Sequence, residues 1–435
     1  MPQDAATKPP SRIALIDIHP ASARSHVTGL AAALARASCE VDVFLRRDDP
    51  VQDDVTWLRP GVRLMRLDAG EARVLDDMGL LTGVPGFIHA CARVMRNAAP
   101  YDALYAHRTL SGLVTRRLKE SFGIPYLASF ESIALDILGE PAPQDAMADR
   151  RLGIERRVIA GADGVLAGCP RQFDALRDHY GLPPDALSLV PSGVDTDAFR
   201  PGDETGRAAA RFAFGLSPDD FVLLQMGRLS PRKGTENVIR ALARLAPRLN
   251  ARLLVAGTEV DGSSEVATHL KQVAHRCGVA HRVTLLGDVE PMHLPALARC
   301  ANVLVDTPWH EPLGRSPLEA MAAGIPVIAS DVGAASYQLA DGVTGFLVRP
   351  RDPIGLAMRL EQLHGNPRLA WGMGHAGAQR ARAIFAWDKV ASQFLDAIRR
   401  AREGHFGPQV QPSHPGMDRT PDGSDPRSRA LNWIH

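Results

Sequence analysis

The chain has 435 residues, with 50 basic against 49 acidic side chains and a formal net charge of +1. That length points to two domains rather than one, and a near-neutral chain has no global field to draw it to nucleic acid. Five cysteines (Cys39, Cys91, Cys169, Cys277, Cys300) lie scattered with no C-x-x-C spacing, which speaks for reduced thiols in a cytoplasmic protein and against a metal framework. No apolar run is long enough to cross a bilayer, and the start lacks the basic-then-apolar pattern of a leader.

Residues 1–11 are polar and read as a loose segment. From Arg12 the apolar run RIALIDI opens an alternation of strands and helices. A helix is expected from about Val27 to Ala37, a strand in VDVFL at 41, and strands in VRLMR at 62 and DALYA at 102. A helix near 110–120 follows, then PYLASF at 125, a helix from about Arg150, and strands in DGVLAG at 163 and LSLVP at 187. Short strands alternating with helices mean a parallel sheet covered on both faces. The basic cluster Arg116, Arg117 and Lys119 falls on one of these helices; a solvated face is the commoner fate of such a cluster, and weak peripheral membrane contact is the minority reading.

The stretch PSGVDTDAFRPGDETG, beginning at 191, is rich in Pro, Gly and Asp and interrupts the pattern. A first domain is therefore placed at 12–198 and a linker at 199–218. The alternation restarts with FVLLQMG at 221, RLLVAG at 252, RVTLLG at 282, NVLVD at 302, PVIAS at 326 and GFLV at 345, giving a second domain at 219–385. The chain thus reads as an α/β protein of two Rossmann-like parallel-sheet domains facing a cleft. WDKVASQFLDAIRRA forms a last amphipathic helix within 386–402, and the Pro-, Gly- and charge-rich residues 403–435 are expected to be disordered. Open α/β sheets bind ligands beyond the carboxyl ends of their strands. Neither domain carries G-x-G-x-x-G after its first strand or the P-loop spacing, so a dinucleotide dehydrogenase and a P-loop kinase both lose ground.

Two motifs carry chemistry. In MGRLSPRKGTENV, Gly227 turns the chain sharply after a strand while Arg228 and Lys233 set two cations beside a helix start, which suits a diphosphate. A solvated basic loop is the commoner fate of such spacing, but both charges sit where the fold puts its ligands. In EPLGRSPLEAMAAGIPVIAS, Ser316 with Pro317 and Glu319 spells a capping box, with Gly324 ending the helix. That bland reading accounts for Glu319 and leaves Glu311 and the Gly314 turn unexplained.

These residues resemble the retaining, nucleotide-sugar-dependent glycosyltransferases of family 4, of GT-B fold, in the branch of sucrose-phosphate synthases and mycothiol glycosyltransferases. The resemblance runs from about Arg12 to Ala401 and is strongest in GRLSPRKG, in the E-x7-E segment EPLGRSPLE and in PSGVDTDAF. It implies that Glu319 binds the donor ribose and Glu311 the transferred sugar. Leu313, Gly314, Arg315 and Ser316 would approach the sugar and diphosphate through the backbone, and Arg228 and Lys233 would neutralise the leaving diphosphate. The base would lie near Gly287 to Val289, and the helix at 386–402 would cross back to the N-terminal domain. It implies no cofactor beyond the nucleotide-sugar substrate, no metal, and a carbohydrate, small-molecule or lipid-linked acceptor.

The chain departs from this pattern on the acceptor side. Ala21 and Ser22 stand about where relatives carry a Gly-Gly loop, and Glu131 stands where relatives commonly have a donor-contacting His. After SDV the usual G-G-x-x-E has become Gly333, Ala334, Ala335, Ser336 and Tyr337. His107 matches a familiar position, though a lone His after a strand is more often structural. An active glycosyltransferase with an atypical acceptor pocket is the favoured reading. A non-catalytic nucleotide-sugar-binding protein that kept the donor clamp is the alternative.

Overall fold

The computed structural model describes residues 11–19, 25–134, 148–258 and 265–404. Ala21, Ser22, residues 1–10 and the tail from 405 lie outside the described residues. In the first half, strands β1 (Arg12–Asp17), β2 (Glu40–Arg46), β3 (Val55–Arg59), β4 (Val62–Leu67), β5 (Ala103–His107), β6 (Tyr126–Ser129), β7 (Gly164–Ala167) and β8 (Leu187–Leu189) form one sheet. Its order is β3-β4-β2-β1-β5-β6-β7-β8. Every pair is parallel except β3 with β4. Helices α1 (His26–Arg36), α2 (Asp77–Arg96), α3 (Thr109–Phe122), α4 (Ala148–Gly161) and α5 (Pro170–Tyr180) accompany it.

The second half begins with α6 (Glu204–Ala213). Its strands are β9 (Phe221–Met226), β10 (Ala251–Ala256), β11 (Val283–Gly287), β12 (Val303–Asp306), β13 (Val327–Ser330) and β14 (Gly345–Val348). All are parallel, in the order β11-β10-β9-β12-β13-β14. Helices α7 (Thr235–Leu242), α8 (Glu265–Arg276), α9 (Leu294–Cys300), α10 (Ser316–Ala322), α11 (Ala335–Gln338), α12 (Pro353–Gly365) and α13 (Pro367–Arg380) surround this sheet, and α14 (Trp387–Arg402) ends the described chain. Strand order reverses between β1 and β5 in one sheet and between β9 and β12 in the other. A doubly wound sheet opens its ligand crevice at such a reversal.

The strands are apolar runs because both faces are covered; all six residues of β9 are buried. One face of the first sheet packs α2, α3 and α4 around Phe87, Leu104 and Tyr126. The other face receives α1 and, from the far end of the chain, α14. The buried stripe Val390, Ala391, Phe394, Ala397, Ile398 and Ala401 has helical spacing, and Phe394 meets Tyr105 edge-on with ring centroids 5.0 Å apart. The chain re-enters the first half beside its exit, where the Val194 N–H donates to the Phe385 carbonyl at 2.8 Å. Trp387 fits there because Gly29 and Gly193 lack side chains; a Cβ on either would lie 2.3 Å from the indole.

Two readings change. The linker stretch contains α6, docked on the second half by the buried Arg211, whose guanidinium donates to the Cys300 carbonyl at 3.1 Å and Asn302 Oδ1 at 2.6 Å. Helix α2, with 20 residues, is long and apolar enough by composition to span a membrane, yet Leu80, Val84, Phe87 and Cys91 are buried in the protein core. The basic cluster on α3 lies on a partly exposed face, where Arg116 and Arg117 share Glu120 and Lys119 pairs with Asp163.

Candidate active site

The carboxyl ends of β9 and β12 bring the two sequence motifs together across about 80 residues of chain. After β9 the backbone turns through Gly227 (φ +130°). Arg228 is exposed, and a short turn at Pro231–Lys233 presents Lys233. That turn is clamped from both sides. Gln225 on β9 donates to the Lys233 carbonyl at 2.9 Å, and the Trp309 N–H donates to the Arg232 carbonyl at 3.1 Å. Gly234 (φ +68°) closes it so tightly that a Cβ would sit 2.0 Å from the Thr307 carbonyl oxygen.

Lys233 Nζ lies 2.5 Å from Glu311 Oε2, both side chains being 16% exposed. Burial opposes charge on both groups, but each holds the other ionised. With Asp306 added, Lys233 stays above its ordinary value, while Lys233 keeps Glu311 below the usual carboxylate range. The cation expected for the diphosphate and the acid expected for the sugar are thus one ion pair in the unliganded site.

The loop between the two acids is held from behind. Gln338 on α11 donates to the Leu313 and Gly314 carbonyls at 2.6 and 2.8 Å. Gly333 is required because a Cβ would fall 1.8 Å from the Glu311 carbonyl oxygen. The capping box is a correction. Arg315 is the N-cap residue and already helical, and the Ser316 hydroxyl donates to the Met226 carbonyl at 2.9 Å. Ser316 therefore ties α10 to the end of β9, and Glu319 stands in the helix's first turn. Val289 follows β11 and packs half-buried against the core of the second half.

The first half supplies the opposite wall. A cleft cavity of about 370 Å³ is lined by His19, Asp77, Arg108, Glu131, Arg151 and Ile154 from that side and by Arg228 and Arg232 from the other. His19 follows β1 between Asp17 at 3.3 Å and Asp77 at 3.6 Å. Against the effect of burial, these two acids raise it above its ordinary value. Arg108 is held at φ +74° and pairs with Glu131 at 2.8 Å. Despite burial, Arg108, Arg228 and Arg315 keep Glu131 ionised, below its ordinary value. Arg151 is fixed by the fully buried Glu155 at 2.9 Å and by Ser132. The two halves touch where Leu313 fills the space beside Gly168; a Cβ there would lie 2.3 Å from Leu313 Cδ2.

His107 is buried beneath this wall and is not among the cavity-lining residues. It stacks on His26 with centroids 4.9 Å apart, and its Nδ1 lies 3.2 Å from Tyr105 Oη and from Ser129 Oγ. Sequence reasoning does not single out His19, Asp77, Arg108, Arg151 or Arg232. His19 had a usable signal, since it directly follows the first strand; Asp77 and Arg151 carry none, because only folding brings their helices to the cleft. Among the described residues no group of three or more His, Cys, Asp or Glu is arranged to hold a metal ion.

A double Rossmann-like molecule with paired cations and E-x7-E in its cleft is a nucleotide-sugar glycosyltransferase of GT-B architecture. The family of glycosyl transferases group 1 matches residues 206–380, and the glycosyl transferase 4-like domain matches residues 23–193. The chain is 32% identical over 420 residues to a D-inositol 3-phosphate glycosyltransferase of Streptomyces avermitilis, covering 91% of this chain and 89% of that protein. It is 29% identical over 406 residues to a protein of the same name from Corynebacterium diphtheriae, covering 89% and 95%. The sucrose-phosphate synthase of Thermosynechococcus elongatus superposes with a TM-score of 0.81 at 28% identity, over 88% of this chain and 97% of that one. The chain belongs to the group 1 glycosyltransferases.

Proposed function

We propose that this glycosyltransferase moves a sugar from a nucleoside-diphosphate sugar to a phosphorylated polyol, with retention and without a metal, in the cytoplasm. The observation that carries the reading is the Lys233–Glu311 pair at the strand-order reversal of the second sheet, with Arg228 on the same turn that follows β9. As the anomeric C–O bond breaks, the departing diphosphate gains charge, and Lys233 and Arg228 stabilise that charge in the role a metal otherwise fills. Glu311 is paired with Lys233 and would orient a sugar hydroxyl, and Glu319, in the first turn of α10, would meet the ribose. Arg228 also lines the acceptor cavity, so the acceptor hydroxyl can approach C1 from the face the diphosphate leaves. That geometry supports retention: acceptor oxygen bonds to C1, and its proton passes to the departing phosphate oxygen.

The acceptor class rests on two supports. The relatives named above are D-inositol 3-phosphate glycosyltransferases. The cavity offers Arg108, Arg151, Arg232 and His19 to a phosphate, while Asp77 and Glu131 can accept from polyol hydroxyls. The test is a thermal-shift screen with UDP-, GDP- and ADP-sugars, followed by transfer assays comparing inositol phosphate with inositol. A specific donor should raise the melting temperature by mass action, and product should form only with the phosphorylated acceptor. Equal transfer to unphosphorylated inositol would refute the acceptor class.

A further inference from the structure

Beneath the donor clamp lies a carboxylate that the mechanism above does not use. Asp306, the last residue of β12, is 3% exposed, and its Oδ1 makes no hydrogen bond. With Glu311, Gly314, Ser330 and Gln338 it lines a void of about 10 Å³ behind the loop, room for a single water. Ser330 Oγ and Gln338 Oε1, both buried, are likewise without a hydrogen bond. Three buried oxygens of different elements thus border one small space, on the inner side of the residues that grip Lys233 and Glu311.

The charged groups acting on Asp306 are Lys233, from the turn after β9, and Glu311, from the loop after β12. Arg232 acts in turn on both of those. The other polar side chains lining the void, Ser330 on β13 and Gln338 on α11, are neutral. One ammonium therefore serves two carboxylates. Glu311 holds it by contact, and Asp306 attracts it from the core side.

We propose that Asp306 is a positioning residue, a second counter-ion that restrains Lys233 while ionised and frees it for the donor diphosphate when protonated. Donor binding is then coupled to proton uptake, because an incoming diphosphate adds negative charge to a site where two carboxylates already share one cation. Burial supports this role by pushing Asp306 up to about 6, with Lys233 opposing and Glu311 reinforcing the shift. The inference rests on the donor reading given above and deepens it.

Asp306→Asn keeps the shape and removes the titration. Calorimetric titration with UDP-glucose, GDP-glucose and ADP-glucose, whose diphosphate diesters do not titrate in this range, gives affinity from about pH 5.5 to 8. Affinity of the wild type should fall about tenfold more across that range than that of the variant. His19 also titrates in the cleft, so the readout is the difference between the two proteins. Ligand-free melts give a second measure. Asp306 has a folded value above its ordinary 3.8, so wild-type stability should decline relative to Asp306→Asn as pH rises from about 4 to 6. Parallel profiles in either measurement would overturn the inference. Failure of the wild type to bind any of the three donors would instead overturn the donor reading, and this inference with it. Should Asp306→Asn not fold, Asp306→Ser removes the same charge and leaves room for water.

Discussion

Lys233 is both the diphosphate cation and the partner of Glu311, so removing it acts twice. Lys233→Ala deletes a charged contact to the donor and leaves Glu311 buried near Asp306 without its ion-pair partner, a poor site for a further anion. A hydrogen bond to a charged group is worth about 1.5–3 kcal/mol, which corresponds to roughly a ten- to hundredfold loss of nucleotide-sugar affinity. Glu319→Ala should lose a similar amount through the ribose, while Glu319→Gln keeps the fold. Calorimetric titration giving wild-type affinity for both alanine variants would refute the donor assignment. Gly333→Ala offers a backbone control. Its Cβ would strike the Glu311 carbonyl at 1.8 Å, so donor affinity should fall although no donor contact is deleted.

At the scale of elements, the junction of α1, β5 and α14 is tightly packed. His26 and His107 stack there under Trp387, whose ring meets His26 edge-on at 5.5 Å. Gly29→Ala and Gly193→Ala should each overpack the indole and cost about 1–3 kcal/mol, read as a lower melting temperature with α14 displaced. The same junction sets an acid response. Burial, then Arg315, pushes His26 down to about 4, and burial also holds His107 well below its ordinary value, Glu131 and Asp17 opposing only in part. An unfolded chain takes up these protons near the ordinary 6.5. The contribution is therefore complete above about pH 6.5 and is lost as pH falls toward 4. His26→Gln should flatten this slope; a melting profile parallel to the wild type would refute the assignment. The strands of both sheets were legible because buried parallel strands are short apolar runs bounded by turn residues. Strand β3 was not, since it is a half-exposed antiparallel edge with Trp57 64% exposed. Helix α6 was hidden by the turn-rich residues around it, and its anchor Arg211 finds its partners some 90 residues away. The donor clamp could be read because its groups lie within two short motifs. Of the acceptor wall only Glu131 could be read, because His19, Asp77, Arg108 and Arg151 join it only through the strand order of the first sheet.

Across the whole molecule the chemistry divides between the halves, and this division bears on the departures at Ala21, Ser22 and Glu131. The cations proposed to stabilise the leaving group, Arg228 and Lys233, follow β9 of the second sheet, where Lys233 pairs with Glu311. The first sheet contributes the acceptor wall, where Glu131 is held by Arg108 and faces Arg228 across the cavity. Changes in that wall should therefore alter which acceptor fits more than whether the donor bond breaks. Without acceptor, water can occupy the cavity and attack C1, so the protein should slowly hydrolyse its preferred nucleotide sugar to free sugar and nucleoside diphosphate. Glu311→Ala should abolish both hydrolysis and transfer, since it removes the sugar-orienting acid and leaves Lys233 without its partner. Glu131→Ala should leave hydrolysis within about threefold, a change worth less than 1 kcal/mol in barrier, while raising the acceptor KM and relaxing acceptor choice. Removing this carboxylate also frees Arg108, so anionic acceptors should gain relative to neutral ones. The measurement is a pair of assays on each variant, nucleotide release without acceptor and product formation across an acceptor panel. Equal losses of hydrolysis and transfer in Glu131→Ala would show that this carboxylate acts on the donor bond and that the division between halves is wrong.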